Sequence, residues 1–366
     1  MLRRSFFRIA AGALQIAAGA GAASRMAGAA KPFPLGINTY CLRALRWHDA
    51  RLLDYTASLK MDAIFLQDSP DPGSMYPAHW VEVRDQARRL GLHIETGGGA
   101  ILPRKDFDES ASVEMLRKNI ERAKAIGSPL VRCLLASERA VLPPGPEARH
   151  LETGARILRA VRSQALDAGV KMAVEVHKDF HAFQFRQLME ETGTDFAGIY
   201  LDTGNPVFTL EDPMTTVEEL GRYALTAHLR DSVVYEHSRG AAVQWVPLGE
   251  GVVDFQAIVA RLRELCPSVY VYIKPITGRP PQVLPYLEPD FWKLFPSARA
   301  KDFARFLRLA RNGHPYEGHV VIEDLQGRQP PPQFLEAIQY QQREHMERSV
   351  EYAKTKLDLG VRWRKA

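Results

Sequence analysis

From residue 34 onward, short apolar runs alternate with longer amphipathic ones. The short runs predict eight strands, at residues 35–40, 63–67, 92–96, 130–135, 172–177, 198–202, 225–230 and 269–274. Between them apolar residues recur with the period of a helix; Leu116, Ile120 and Ala123, for example, share one face before a turn at Gly127. Strands that alternate with helices indicate βα units and a parallel sheet.

Eight strands joined by short crossovers predict an α/β fold, a (β/α)8 TIM barrel over residues 34–275. The active site of such a barrel lies at the C-terminal ends of its strands. A doubly wound open sheet is the alternative, but it usually has fewer strands. A dinucleotide-binding sheet would also carry a glycine fingerprint after its first strand, where this chain reads Asn38-Thr39-Tyr40-Cys41.

The strand and helix alternation ends after residue 275. Residues 276–366 predict a C-terminal helical extension packed on the barrel, with a helix near 300–311, a short strand at 319–324 and a long helix at 334–357. Met346, Val350, Ala353 and Leu357 fall on one face of that long helix. We expect this face to pack on the barrel, or alternatively to form a homodimer contact.

Residues 1–29 have the three parts of an export signal. Arg3 and Arg4 form a twin-arginine head, residues 9–23 are weakly apolar, and small residues at 27–29 suit a cleavage site. The apolar part is too short and too rich in Gly and Ala to span a bilayer. We expect a twin-arginine signal peptide, a periplasmic or exported protein, and no membrane span after signal removal.

Composition and charge narrow the classes of function. The chain has 366 residues, 46% hydrophobic and 25% charged, which is globular and not collagen-like, coiled-coil or disordered. Its net charge of +5 falls close to neutral without the four arginines of the signal, so no nucleic-acid partner is expected. The three cysteines, Cys41, Cys133 and Cys266, are predicted to be buried thiols.

Polar residues gather at the predicted strand ends. They are Asn38, Tyr40, Gln67, Glu95, Glu175, His177, Asp202, Asn205 and His228. Glu175 and His177 share a face because they are two positions apart. Glu175, Asp202 and His228, on three consecutive strands, form an oxygen and nitrogen donor set that suits Mn²⁺, Mg²⁺, Co²⁺ or Zn²⁺. The alternative is that these are ordinary solvated residues at strand ends.

Four short motifs resemble one known family. They are AVEVH at 173–177, LDTGN at 201–205, AHLRD at 227–231 and PLGEG at 247–251. In combination they resemble the xylose isomerase-like TIM barrels, the sugar phosphate isomerase/epimerase superfamily, over roughly residues 34–275. The resemblance implies one divalent metal ion held by Glu, Asp, His and Glu, and proton transfer beside a sugar carbonyl through a metal-bound enediolate.

The resemblance also implies roles for individual residues. Glu175, Asp202 and His228 match the first three metal ligands, and Glu175 is also the candidate base. Many family members have a histidine where this chain has Asn205. The predicted substrate-binding residues are Asn38, Tyr40, Gln67, Glu95, His177, Asn205 and Arg239, the last as a basic lid residue in a long loop before residues 249–251.

The fourth ligand departs from the family pattern. The family glutamate falls at Lys274, which cannot be an anionic ligand. Three alternatives follow. Glu323, in a segment that also resembles the last family strand, takes the role; or the site keeps three ligands and Lys274 is a general base or an electrostatic partner of the enolate; or Lys274 replaces the charge of the metal, and the protein is metal-free or inactive.

An exported enzyme is not expected to meet sugar phosphates, and the sequence shows no clear phosphate-binding loop. We therefore predict an isomerase or epimerase acting on a non-phosphorylated sugar, keto-sugar or inositol-type substrate, with Tyr40, Trp245 and Trp80 as candidates to stack on a sugar face. Alternatives are a lyase or dehydratase of the same superfamily and a non-catalytic periplasmic carbohydrate-binding protein. A nuclease of the superfamily is disfavoured by the near-neutral charge.

Overall fold

The computed structural model describes residues 31–67, 69, 71–104, 108–317, 321–324 and 328–365. The predicted signal peptide lies outside these residues. Its strands are β1 (Leu35–Asn38), β2 (Ala63–Leu66), β3 (His93–Ala100), β4 (Leu130–Leu134), β5 (Lys171–Glu175), β6 (Ala197–Asp202), β7 (Ala224–Leu229), β8 (Asp231–His237), β9 (Gly240–Val246), β10 (Val271–Ile273) and β11 (Gln282–Leu284). The α-helices are α1 (Asp49–Ser58), α2 (Pro77–Leu90), α3 (Glu109–Ile126), α4 (Glu147–Arg159), α5 (Arg162–Ala168), α6 (Ala182–Thr192), α7 (Pro213–Leu220), α8 (Phe255–Leu265), α9 (Ala300–Asn312) and α10 (Pro332–Thr355).

Strands β1 to β7 and β10 form a closed parallel barrel, which confirms the predicted TIM-barrel fold. β10 completes the ring by pairing with β7 on one side and β1 on the other. The strands are buried over most of their length because helices cover the outside and side chains fill the inside. Phe65, Tyr200 and Tyr272 pack against one another in the interior, so this part of the barrel is a solid core and not a channel.

A three-stranded antiparallel sheet stands where a long loop was expected. β8 follows β7 after a single residue, pairs with β9 as a hairpin, and β9 also pairs with β11. The loop expectation is wrong because apolar and aromatic runs flank a tight turn in this segment, which is the pattern of a hairpin. Val234, Leu284 and Phe306 form part of a second apolar cluster beneath the sheet, and α9 contributes to it.

The long helix α10 packs on the barrel through the predicted face. Met346, Val350, Ala353 and Leu357 are all buried in the same core as the barrel strands. The side chain of Ser349 accepts a hydrogen bond from the backbone N–H of Leu248 at 3.0 Å. The helix therefore belongs to the structural core and does not lie loosely beside it.

The described part of the short strand predicted at 319–324 is not a strand. Residues 318–320 lie outside the described residues, and 321–324 form an irregular segment. The backbone hydrogen bonds of Ile322 go to a side chain, since Gln341 of α10 accepts from its N–H at 2.6 Å and donates to its carbonyl oxygen at 3.0 Å. The N–H of Asp324 donates to the backbone oxygen of Gly278 at 2.7 Å. At Ile322 an amide side chain thus takes the place that a neighbouring strand would have.

The three cysteines are buried and free, as predicted. In the part of the chain that the structure describes, no helix has the length and apolarity needed to cross a bilayer.

Candidate functional site: a cationic cavity at the mouth of the barrel

A cavity of about 700 Å³ opens at the C-terminal ends of the barrel strands. Its walls come from two sources: residues that follow barrel strands, and residues of the antiparallel sheet. The lining includes Tyr40, Gln67, Arg132, Glu138, His177, Lys178, Phe208, Arg230, Trp245, Lys274 and Arg279. The site thus lies where a TIM barrel places its chemistry.

Lys274 follows β10 directly and lies on the cavity floor. Its Nζ donates to Glu175 Oε1 at 2.8 Å and to Asp202 Oδ2 at 3.1 Å. Burial lowers the pKa of Lys274, and the two carboxylates act in the opposite direction. The side chain is 2% exposed, so the ammonium is held by these two ion pairs in a place largely shielded from water.

Two arginines contact the same carboxylates, Arg132 at the other oxygen of Glu175 and Arg230 at the Asp202 oxygen that Lys274 also contacts. Arg132, within β4, forms an ion pair with Glu175 Oε2. Arg230 donates to Asp202 Oδ2 at 2.8 Å and to Asn205 Oδ1 at 3.1 Å. Burial alone would raise the pKa of Glu175, but Arg132 and Lys274 hold it well below its usual range. Three cations therefore surround two carboxylates.

Asn205 completes this arrangement from behind. Its Nδ2 donates to Glu175 Oε1 at 3.3 Å and to the backbone oxygen of Val176 at 3.0 Å. Asn205 is fully buried and contacts the carboxylate rather than the cavity. The predicted substrate-binding role remains a prediction, and the structure places Asn205 where it orients Glu175.

This donor set does not fit a divalent ion. An ion bound by Glu175 and Asp202 would need oxygens that Lys274, Arg132 and Arg230 already contact, and a double positive charge there would face three more cations without added anions. Among the described residues, Glu175, Asp202 and His228 also do not bring their ligand atoms together within binding range of one ion. The ligand assignment stays a prediction, and the geometry corresponds to the third alternative, in which Lys274 replaces the charge of the metal.

His228 lies among aromatic rings inside the barrel. Its ring stacks on Tyr200 and on Tyr272, with centroids 3.8 and 4.7 Å away, and meets the edge of Phe65. Burial, followed by the nearby charge of Lys274, lowers the pKa of His228 well below its usual value. The ring is therefore neutral and packed as part of the core.

Two other predicted binding residues are buried beside the cavity. Asn38 donates to the hydroxyl of Tyr200 at 3.3 Å and to Gln67 at 3.4 Å. Glu95 pairs with His93 at 3.4 Å, and burial raises its pKa. These contacts hold the inner part of the barrel together, and neither residue is among those that line the cavity.

Glu323 and Arg239 lie apart from the mouth. The side chain of Glu323 is exposed in the irregular segment beside α10, so the structure does not bring it to Glu175 as a fourth ligand. Arg239 lies in the exposed turn between β8 and β9 and pairs with Glu288. Neither Arg239 nor Glu288 lines the cavity, so Arg239 does not occupy the lid position that the sequence predicts.

Tyr40, Gln67 and His177 line the cavity, at the positions expected of substrate-binding residues. Burial lowers the pKa of His177 to about 3, so its imidazole is neutral at neutral pH. Within the described structure, His177 Nδ1 is buried without a hydrogen-bond partner. Of the aromatic candidates, Trp245 lines the cavity, whereas Trp80 is in α2 and donates to the backbone oxygen of Ser74.

Sequence reasoning missed four cations of the site: Arg132, Lys178, Arg230 and Arg279. A signal existed for Arg132, which is a charged residue inside an otherwise apolar strand. The glycine run that follows Glu95 is a second signal for Arg132. A Cβ at Gly97 would lie 2.2 Å from the backbone nitrogen of Arg132, so glycine is required where the two strands meet. Lys178 and Arg279 follow strands in irregular segments, where the sequence pattern does not tell which way a side chain faces.

A separate group of possible metal ligands lies near the start of α1. Asp49, Asp71 and His79 each offer one ligand atom, and these atoms lie within 4.8 Å of one another. His79 Nε2 is 2.8 Å from Asp49 Oδ2, so the group also forms an ordinary ion pair without any metal. It is the one such group in the part of the chain that the structure describes.

Solved structures with a similar fold cover most of the chain. A xylose isomerase domain protein from Planctomyces limnophilus has a TM-score of 0.55 and 18% identity, covering 76% of this chain and 96% of its own. The 3-keto-D-glucoside 4-epimerase from E. coli has a TM-score of 0.53 and 12% identity, covering 75% and 98%. A xylose isomerase-like TIM barrel protein from Mycobacterium smegmatis, in complex with magnesium, has a TM-score of 0.52 and 15% identity, covering 76% and 96%.

At these identities the solved structures show a shared fold and no more. No curated protein matches the sequence of this chain. The model of one family, the xylose isomerase-like TIM barrel, matches residues 53–271, which is more than half of the chain. The chain therefore belongs to the xylose isomerase-like TIM barrel family.

Proposed function

We propose that this protein is an isomerase or epimerase that moves a proton next to the carbonyl group of a carbohydrate, with the ammonium of Lys274 in place of a divalent ion. The observation that carries this proposal is the position of Lys274 Nζ between Glu175 and Asp202 on the cavity floor. Membership of the family and the likeness of fold to a sugar epimerase support the general kind of reaction.

The chemistry follows from a fixed positive charge at the floor. Lys274 donates to the carbonyl oxygen of the substrate and stabilises the oxyanion that develops when the adjacent C–H bond breaks. Because Glu175 and Asp202 hold the ammonium before the substrate arrives, the charge does not need to reorient during the reaction. Arg132 holds the pKa of Glu175 low, and the ion pairs of Arg132 with Glu175 and of Arg230 with Asp202 keep both carboxylates in place.

His177 is the candidate proton acceptor. Its ring lies on the cavity wall and is neutral, because burial lowers its pKa to about 3. Such an imidazole is a weak base, so it can take a proton only from a carbon made acidic by a carbonyl that Lys274 polarises. The C–H electron pair moves to the carbonyl oxygen, the proton goes to the imidazole, and return of the proton to the opposite face or to the neighbouring carbon gives epimerisation or isomerisation. No electrons leave the substrate, so no redox partner is needed.

The test is exchange of solvent deuterium into substrate. A panel of ketohexoses, keto-hexonic acids and inososes is incubated with the protein in D₂O and followed by NMR. We expect deuterium at the carbon next to the carbonyl of at least one compound, with the rate reduced at least 100-fold in Lys274→Met and in His177→Asn. Lys118→Met, at an exposed residue of α3, is the control and keeps the wild-type rate.

Metal content tests the role given to Lys274. We expect less than about 0.1 divalent ion per chain in wild-type protein purified without chelator, and about one in Lys274→Glu, which restores the family carboxylate. A stoichiometric ion in wild type that is lost in Asp202→Ala would contradict the proposal. An ion lost instead in His79→Gln would belong to the separate group of Asp49, Asp71 and His79.

A second candidate function is carbohydrate binding without turnover. The observation that favours it is that both mouth carboxylates, Glu175 and Asp202, are already engaged by cations, which leaves no carboxylate base at the floor. Under this alternative, sugars from the same panel bind but no deuterium enters any of them. The exchange experiment therefore separates the two functions.

We also propose that residues 1–29 direct export through the twin-arginine pathway. The support is the Arg3-Arg4 pair before a weakly apolar run. In cell fractionation, the full chain should reach the periplasm, and replacement of both arginines by lysine should retain it in the cytoplasm. Equal export of both forms would contradict this proposal.

A further inference from the structure

We infer that the ligand of the mouth cavity is an acidic carbohydrate, whose carboxylate or phosphate group binds between Lys178 and Arg279. This inference names the substrate class of the proposed function and rests on it for the location of the site. The argument comes from the distribution of charge around the cavity.

Positive charge exceeds negative charge on the cavity walls. Five cationic side chains line it: Arg132, Lys178, Arg230, Lys274 and Arg279. The carboxylate in the lining is that of Glu138, and the buried pair of Glu175 and Asp202 lies beneath the floor. Even after these three acids are counted, the described lining keeps a surplus of cations, so an anionic ligand completes its charge balance.

Lys178 has a loose ion pair with Glu138 and no hydrogen bond to its carboxylate. Its Nζ is 3.8 Å from Glu138, beyond hydrogen-bond distance, and lies over the rings of Phe208 and Trp245 at 5.1 and 5.8 Å from their centroids. Burial lowers the pKa of Lys178, and Arg230 and Arg279 lower it further, whereas Glu138 opposes them. Lys178 therefore lies in a field of like charge that an anion would relieve.

Arg279 faces the cavity from the segment before β11. Its Nη1 donates to the backbone oxygen of Asp324 at 2.9 Å, and the carboxylate of Asp324 forms its ion pair with Arg43. The hydrogen bond to a backbone carbonyl fixes the guanidinium in place. Asp324 and Tyr40 attract its charge and Arg43 repels it, so the single carboxylate of Asp324 is shared between two guanidinium groups. A rigid guanidinium beside a lysine is a favourable arrangement for a carboxylate or phosphate group.

Trp245 gives this side of the cavity a surface for a sugar ring. Its Nε1 donates to the backbone oxygen of Gly204 at 2.9 Å, and the guanidinium of Arg230 lies over its ring at 4.4 Å. The indole is therefore held firmly while part of it faces the cavity. The floor, the aromatic wall and the cationic wall together fit a compound with a carbonyl, a ring or chain of hydroxyl groups, and an acid group.

The experiment compares acids with their matched neutral sugars by isothermal titration calorimetry. The pairs are D-glucuronate with D-glucose, and D-gluconate with D-glucitol; D-glucose 6-phosphate forms the phosphate arm. We expect at least one acid to bind ten-fold or more tightly than its neutral partner, with an affinity that falls as NaCl is raised. If the uronate or the gluconate binds most tightly, the acid group of the ligand is a carboxylate. If the sugar phosphate binds most tightly, the acid group is a phosphate.

Variants of the cationic wall locate the acid group. Lys178→Met and Arg279→Met should each weaken binding of the preferred acid at least five-fold and change binding of its neutral partner less than two-fold. Lys118→Met is the matched control and changes neither. Where Lys178→Met does not fold by circular dichroism, Lys178→Gln keeps a polar side chain of similar length and serves in its place.

Two results would overturn the inference: neutral partners that bind as tightly as the acids, or no measurable binding of any acid in the panel. Failure of the proposed function looks different. If acids bind selectively but no compound exchanges deuterium, the proposed catalysis is wrong and the inference about the ligand is supported. If neutral ketoses exchange deuterium and acids are not preferred, the inference is wrong and the proposed catalysis stands.

Discussion

Glu211 is a buried carboxyl group outside the mouth, and it makes stability depend on pH. It is 1% exposed and accepts hydrogen bonds from the backbone N–H of Ala182, at the start of α6, and from Thr209. Burial raises the pKa of Glu211 to about 8. In the unfolded chain the pKa is near 4.3, so between these values the folded state holds a proton that the unfolded state releases.

The free energy of unfolding should therefore fall as pH rises from about 4.5 to about 8, with a slope from this group of at most about 1.4 kcal/mol per pH unit. Glu211→Gln, which mimics the protonated side chain, should show a flatter profile. Urea unfolding at pH 5, 6, 7 and 8 measures the difference, with the exposed Glu114→Gln as control. Parallel profiles for wild type and Glu211→Gln would show that the group ionises at its usual pKa.

For single residues, the sequence predicted which side chains converge at the barrel mouth, but not which hydrogen-bond and ion-pair partners they have there. The convergence of Glu175 and Asp202 follows from their places at the ends of neighbouring strands, and Lys274 could be recognised as a departure from the family pattern. That Lys274 reaches both carboxylates, and that Arg132 reaches Glu175 from β4, depends on the side-chain directions set by the barrel register. No local pattern carries that information.

The antiparallel sheet is anchored to the barrel by one carboxylate at the first residue of β8. Asp231 accepts hydrogen bonds from the backbone N–H groups of Ser232, Gly249, Gly251 and Val253, at 2.8 to 3.3 Å. A Cβ at Gly251 would lie 2.2 Å from Asp231 Oδ1, so the close approach requires glycine. The PLGEG motif at 247–251 is thus explained by the loop that returns the chain from β9 to α8.

Asp231→Ala should destabilise the protein by about 3 kcal/mol, because four N–H groups, one buried and three partly buried, lose their acceptor together. Asp254→Ala is the matched control, since Asp254 caps α8 through a single hydrogen bond to Ala257 N and its loss costs about 1 kcal/mol. Denaturant unfolding of both variants measures the two values. Equal costs would mean that Asp231 contributes no more than an ordinary helix cap.

Elements of the barrel could be predicted because each strand is a short apolar run between amphipathic helices. The hairpin of β8 and β9 was harder to place because a single residue separates β7 from β8. In the sequence, β7 and β8 therefore read as one strand followed by a loop. Residues 319–324 have the composition of a strand, but the backbone of Ile322 pairs with the side chain of Gln341 instead of another strand. Tertiary contacts decide such cases.

The whole molecule depends on α10, although this helix comes long after the last barrel strand. Gln339 and Gln342 exchange hydrogen bonds with the backbone of Ala44, and His345 contacts Thr277 Oγ1 at 2.6 Å. Met346 is fully buried among barrel residues. The first and last parts of the described chain therefore share one core and should unfold together.

Met346→Ala should lower the free energy of unfolding by about 2 to 5 kcal/mol because it leaves a cavity in that shared core. Tyr340→Ala, at a residue of the same helix that is 64% exposed, should change it by less than about 0.5 kcal/mol. Urea curves followed by circular dichroism and by tryptophan fluorescence should coincide. Two separate transitions would instead show that the C-terminal extension folds as a unit of its own.

The ammonium of Lys274 has a consequence for the setting in which the protein works. A bound ion follows mass action, so its occupancy depends on the concentration of free metal and on competing chelators. A lysine side chain is part of the polypeptide and cannot diffuse away, and its charge depends on pH instead of metal concentration. Every folded copy therefore carries Lys274 at the floor of the cavity, whatever the supply of metal in the surroundings.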